Sequence, residues 1–153
     1  MAPRIIKGID EHKALVGEHI GYSEYIEITQ ERVNLFAEAT GDHQWIHVDV
    51  ERAKRESPFG GPIAHGYLTL SLGPVLFPMV LVLTGFKLAV NYGCNKVRFT
   101  SPVPVGAKLR LGLKLLSVDD IPGGIQSTYE LTFETEGAAK PSCIAECIFR
   151  NYV

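Results

Sequence analysis

The chain has 153 residues, the length of one domain, and with 46% apolar and 21% charged residues it can build a single core. A formal net charge of −2, with no run of like charges, excludes the basic excess of a protein whose main partner is nucleic acid. One domain over residues 1–153, with no nucleic-acid partner, is the first expectation.

The opening stretch MAPRIIKGIDEHK has no apolar segment of signal-peptide type. Thr29 is placed to cap a helix that runs to Gly41, with Val33, Phe36, Ala37 and Thr40 on one face. A loop from Asp42 to His47 follows. Asp49 can then cap a short helix over 50–56, and residues 57–62 form a turn-rich link. Residues 63–66, Ile-Ala-His-Gly, lead into an uncharged apolar stretch over 67–83. That stretch is short for a membrane span and is interrupted by Gly73, Pro74 and Pro78. It reads instead as a buried central helix broken at its prolines, and no membrane association is expected.

After Gly85 the hydrophobic period changes to two. Residues 86–92 and 96–99 are predicted strands, and 101–106 a turn. Over 107–115 the odd positions are Ala or Leu and the even ones mostly Lys or Arg, the pattern of a half-buried strand. Pro122, Gly123 and Gly124 predict a hairpin turn between that strand and the next, 125–135. A last strand is predicted over 142–150. Antiparallel strands with one dry face need a cover, and only the apolar helix after Gly66 can supply it. The fold class is therefore α+β, a curved antiparallel sheet wrapped around a long central helix.

Three cysteines, Cys94, Cys143 and Cys147, form no C-x-x-C pair. Cys143 and Cys147 lie about 13 Å apart along one strand face, at ~3.3 Å per residue, and cannot bridge each other. Reduced thiols and a cytoplasmic location are expected.

The densest titratable cluster is 40–49, Thr-Gly-Asp-His-Gln-Trp-Ile-His-Val-Asp. Asp42 and His47, five apart in a loop, can converge on one point. A carboxylate and an imidazole together can hold a water, deprotonate it and return a proton elsewhere. Trp45 and Ile46 beside them lower the local dielectric, which moves such groups toward a working pKa. From spacing alone, a turn aspartate and a satisfied core histidine read equally well. His43, His47 and Asp49 could be metal ligands, but Gly41 and Asp42 break the helix that His-x-x-x-His needs, and no third ligand is obvious; no metal is expected. Gly66 opens a helix and leaves room for an oxygen to approach its N–H. Relief of crowding is the plainer reading of the same glycine. His65 points either into the site or into the core. Lys87, Lys96 and Arg98 could meet carrier phosphates or simply form a solvated strand face. Cys94 has no base beside it, so a catalytic thiol is not expected.

Three blocks carry a resemblance: 36–49, Phe-Ala-Glu-Ala-Thr-Gly-Asp-His-Gln-Trp-Ile-His-Val-Asp; 63–66, Ile-Ala-His-Gly; and 97–106, where Val-Arg-Phe is followed by Pro-Val-Pro-Val-Gly. In this order they resemble the MaoC-like family, which contains the (R)-specific enoyl-CoA hydratases, from about residue 17 to the C-terminus. The resemblance implies a hot-dog fold. It implies reversible addition of water to a trans-2-enoyl-CoA, giving an (R)-3-hydroxyacyl-CoA. Asp42 and His47 match the family's catalytic pair, and Gly66 its backbone oxyanion donor. Gln44, Trp45 and Ile46 stand where the family has Asn-Pro-Leu, with the Asp-to-His spacing kept. Pro74 stands where some members have a serine, which leaves Ser71 as a substitute. The substrate-binding candidates are Trp45, His65, Ser71, Lys96 and Arg98. No cofactor is expected beyond the coenzyme A thioester that is the substrate, and a homodimer is expected. Two other readings stay open. One is an acyl-CoA thioesterase on the same fold, which would lack the Asp–His pair. The other is a non-catalytic partner subunit of a dehydratase, which the intact Asp42, His47 and Gly66 oppose.

Overall fold

The computed structural model describes residues 2–153. Leucines at every second position of one strand set the architecture. In β6, Lys108–Ile121, Leu109, Leu111, Leu113 and Leu115 are fully buried. The hairpin at Pro122 and Gly123 returns the chain as β7, Gly124–Thr135, whose inward residues are Ile125, Ser127, Tyr129, Leu131 and Phe133. Next to it lies β8, Cys143–Tyr152, and then β5, Leu88–Arg98, which forms one edge. The other edge of β6 is covered by two short strands, β2 (His19–Tyr22) and β3 (Ile26–Glu27). All pairings in this six-stranded sheet are antiparallel, and register shifts in β2, β5 and β6 bend it.

The expected strands 86–92 and 96–99 are one strand. Tyr92 and Asn95 fall at its two register shifts, so each interrupts the alternation without ending the pairing.

The helix across the sheet is broken as its prolines dictate. Helix α5, Gly66–Ser71, is followed by α6, Gly73–Leu76, and a 3-10 turn, Phe77–Met79. Pro74 and Pro78 lack the N–H that would continue the ladder behind them. Leu68, Leu72 and Leu76, four apart, face the sheet and enter the same core as Leu109 to Leu115, Leu131 and Phe133. The central helix thus ends at Met79. The last residues of the apolar stretch turn extended as β4, Leu81–Thr84, which pairs in parallel with β1, Arg4–Lys7. A short helix α1, Gly8–Lys13, buries His12 against the sheet. This is the hot-dog arrangement, a sheet laid over one helix. Among the described residues no helix is long and apolar enough to cross a membrane.

The segments that bear on chemistry pack over the N-terminal end of α5. Helix α2, Gln30–Thr40, begins with the Thr29 hydroxyl accepting from the Arg32 N–H and stops at Gly41, whose φ of 83° favours glycine. Val33 and Ala37 are buried and Phe36 partly so. Thr40 is exposed, its hydroxyl turned back to the Phe36 carbonyl. A single turn α3, Trp45–Val48, and helix α4, Val50–Glu56, follow. Asp49 caps α4 by accepting from the Arg52 N–H.

Candidate active site

The stretch 42–47, expected as a loop, closes into a helical turn at its far end. The Gln44 carbonyl accepts the His47 N–H, which lifts His47 out of the loop and turns it inward. His47 is buried, whereas Asp42 stays exposed. A carboxylate oxygen of Asp42 and ring nitrogens of His47 and His65 all lie within 4.8 Å of one another. The sequence pair does converge, and a third residue joins it.

The geometry fixes what each ring nitrogen does. His47 Nδ1 lies 2.6 Å from the Ile63 carbonyl. A carbonyl only accepts, so Nδ1 carries the hydrogen and Nε2 keeps its lone pair. Ile63 is itself held in place: its N–H donates to the Ile46 carbonyl, Ala64 N–H donates to Val103, and Val105 N–H to Pro62. Gln30 adds a further tie, its side-chain amide donating to the His47 carbonyl at 2.8 Å. Burial holds the His47 ring below the ordinary histidine range. The Ile63 carbonyl raises it again, His65 lowers it and Asp42 raises it. An imidazole with a free Nε2 and a depressed pKa is a proton acceptor at neutral pH.

Gly66 begins α5 beside this cluster. Its N–H belongs to the first turn, where no internal carbonyl lies behind it. A cleft of about 270 Å³ opens here, lined among others by Ile63, Gly66, Thr69, Phe99 and Ser142. A methyl group on Gly66 would meet the Phe99 ring at 3.1 Å, so glycine keeps this approach open. An apolar groove of about 300 Å³ lies toward the other end of the helix, between Pro74, Phe77, Val90, Tyr129 and Phe149. Gly66 lines the cleft and not that groove, and His47 adjoins the cleft through the carbonyl of Ile63, which also lines it.

Asp42, His47, His65 and Gly66 come together; other candidates do not. Trp45 is partly buried under the Arg52 guanidinium, 4.2 Å from its ring centre. Ser71 is exposed, its hydroxyl donating back to the Tyr67 carbonyl. Lys96 and Arg98 are exposed on edge strand β5, with Arg98 next to Phe99 at the cleft, and Lys87 is exposed just before that strand. His43 faces Glu38 at 3.4 Å on the surface, and Asp49 caps α4, so neither joins His47 as a metal ligand. Asp42, His47 and His65 could in principle share an ion. However, the two imidazoles are stacked at 3.9 Å and 24°, and lone pairs lie in the ring planes, so they run side by side rather than converge. Sequence reasoning missed Gln30, Thr69 and Ser142. Thr69 had a signal, being one turn after Gly66 on the same face; Gln30 and Ser142 arrive from distant segments.

Cys143 and Cys147 are buried, which pushes their thiols up to about 11 and about 12. Cys94 is exposed and faces Cys147, the sulfurs 3.6 Å apart. None of the three lies in the cleft.

The family described as a MaoC like domain matches residues 11–135. The 3-hydroxyacyl-thioester dehydratase Z of Mycobacterium tuberculosis is 52% identical over 148 residues, covering 96% of this chain and 97% of that protein. Nodulation protein N of Rhizobium leguminosarum bv. viciae is 44% identical over 136 residues, covering 87% and 84%. Among solved structures, the R-hydratase PhaJ1 of Pseudomonas aeruginosa superposes with a TM-score of 0.66 at 26% identity, covering 90% of this chain and 81% of that one.

Proposed function

The chain belongs to the MaoC-like dehydratase family and is a hydro-lyase; on that premise we propose that it is an (R)-specific enoyl-CoA hydratase, adding water reversibly to a trans-2-enoyl-CoA to give an (R)-3-hydroxyacyl-CoA. The observation that carries this reading is the convergence of the Asp42 carboxylate and the His47 ring, with His47 Nε2 left free by the Ile63 carbonyl.

A water between the Asp42 carboxylate and His47 Nε2 finds two acceptors, one for each of its hydrogens. Its oxygen attacks C3 of the enoyl thioester as one proton passes to the pair. The electrons of the C2–C3 double bond move onto the thioester oxygen, and Gly66 N–H stabilises the enolate that results. The pair then returns a proton to C2, so one hydrogen and one hydroxyl have been added and the residues are as they began. We also propose that Arg98, exposed and next in sequence to the cleft residue Phe99, meets carrier phosphates. We further propose a homodimer, because β5 leaves an open sheet edge with Leu88, Val90 and Tyr92 exposed. Sedimentation as a monomer at micromolar concentration contradicts the dimer.

Incubation with crotonyl-CoA tests the activity. Loss of conjugated enoyl absorbance without release of free thiol is the expected result. Free thiol means a thioesterase, and neither change supports a non-catalytic partner subunit; either outcome overturns the proposal.

A further inference from the structure

His65 has no part in the mechanism above, yet no side chain is tied more closely to both catalytic residues. It is 2% exposed. Its Nε2 lies 3.0 Å from the backbone carbonyl of Asp42, so Nε2–H donates to that carbonyl. Its ring is sandwiched between Phe36 of α2, 4.9 Å away and tilted, and His47, stacked at 3.9 Å. Its Nδ1 is buried with no hydrogen-bond partner among the described residues.

These contacts answer a structural difficulty. Asp42 sits in an exposed loop just after a helix stop, where its other ties are local and long: its N–H reaches the Thr40 hydroxyl at 3.4 Å, and its carboxylate accepts from the Gln44 N–H at 3.3 Å. His47 sits on a separate turn. Two side chains that must hold one water need their backbones locked relative to each other, because a displacement of about 1 Å at a reacting group costs on the order of 10²-fold in rate. Segment 63–66 supplies the lock. The Ile63 carbonyl sets the His47 tautomer, and the adjoining Gly66 donates to the enolate. His65, between them, reaches Asp42.

We propose that His65 is a positioning residue: from its place against the His47 ring, its Nε2–H holds the Asp42 backbone, so that the carboxylate and the imidazole meet at one water. This rests on the hydratase reading. It makes His65 neither a ligand of the substrate nor a proton donor to it.

Two substitutions separate the contacts. His65→Phe keeps a ring in the sandwich and removes the hydrogen bond. His65→Gln places an amide N–H where Nε2–H was. With crotonyl-CoA, His65→Phe is expected to lower kcat by about 10²-fold with KM changed by less than about threefold, while His65→Gln keeps at least about a tenth of wild-type kcat. A higher KM at unchanged kcat marks a substrate contact and overturns the proposal. Equal loss in both variants, or no loss in His65→Phe, does the same. A readout independent of activity and of variant folding is the ring 15N spectrum of the wild-type protein, which should show His65 protonated on Nε2 and His47 on Nδ1. The opposite tautomer at His65 overturns the proposal even if hydration is confirmed. Absence of hydration by the wild-type protein, with these tautomers intact, overturns the hydratase reading instead.

Discussion

Acidification should unfold this protein through His12, and the effect can be worked out in advance. His12 is fully buried, with Nε2 2.5 Å from the Tyr129 hydroxyl and Nδ1 without a hydrogen-bond partner among the described residues. Protonating the ring leaves one buried donor with no acceptor, whichever tautomer the neutral ring adopts. Burial therefore lowers the His12 pKa from 6.5 to about 4. Because the folded pKa is the lower one, the unfolded chain takes up the proton first as pH falls. The stability contributed by the neutral ring is present in full above about pH 7 and is lost as pH drops from 6.5 through 4. A shift of ~2.5 units at 1.36 kcal/mol each corresponds to about 3 kcal/mol. His12→Gln removes the titration while leaving an amide to meet Tyr129. It should be less stable at pH 7.5 yet show a shallower fall toward pH 4, the two curves converging by about 3 kcal/mol. The assay is urea unfolding at pH 7.5, 6, 5 and 4 at one fixed protein concentration. His47, also shifted down, contributes the same slope to both proteins and drops out of the difference. Parallel curves for wild type and His12→Gln would refute the reasoning.

Gly66→Ala should lower hydration of crotonyl-CoA by about 10²–10³-fold, because a methyl group there crowds both Phe99 and the approach of the enolate oxygen; wild-type turnover in this variant removes Gly66 from the mechanism. Exhaustive chelation should leave activity whole, since the stacked His47 and His65 rings cannot converge on an ion; activity lost to chelator and restored by zinc contradicts this. Leu111→Ala, in the fully buried row of β6, should cost about 2–5 kcal/mol in urea unfolding; a cost below about 1 kcal/mol, the scale of a mild core change, would place Leu111 outside the packed core.

What could be read from the sequence was what local chemistry writes. Thr29 and Gly41 mark the ends of α2, Asp49 caps α4, and the leucine alternation of β6 predicts its own dry face. The helix after Gly66 was legible as apolar and proline-broken, but its change to a strand at Leu81 depends on pairing with Arg4–Lys7, 77 residues earlier, which no local pattern records. Strand β5 looked like two strands because Tyr92 and Asn95 interrupt its alternation. At the site, the Asp42-to-His47 spacing left a catalytic pair and a turn aspartate with a core histidine equally open, and the family resemblance chose the pair. The Ile63 carbonyl that sets the His47 tautomer and the His65 ring that reaches Asp42 come from 16 and 23 residues away. The sequence left His65 pointing either into the site or into the core, and only the packing of segment 63–66 against the Asp42 loop, Phe36 and His47 decides it.

The most direct test of the central claim is turnover of crotonyl-CoA by Asp42→Asn and His47→Gln, normalised to folded protein and measured beside melting temperature. Each substitution removes one proton-transfer partner and keeps size. Both variants should fold, and each should lose about 10²–10⁴-fold in turnover. The double variant should be little worse than the worse single one, because the two residues act on one water. A turn aspartate and a core histidine would behave in the opposite way, lowering melting temperature while sparing turnover per folded molecule. If Asp42→Asn keeps more than about a tenth of wild-type turnover, well short of the acid–base range, the account of this site is wrong.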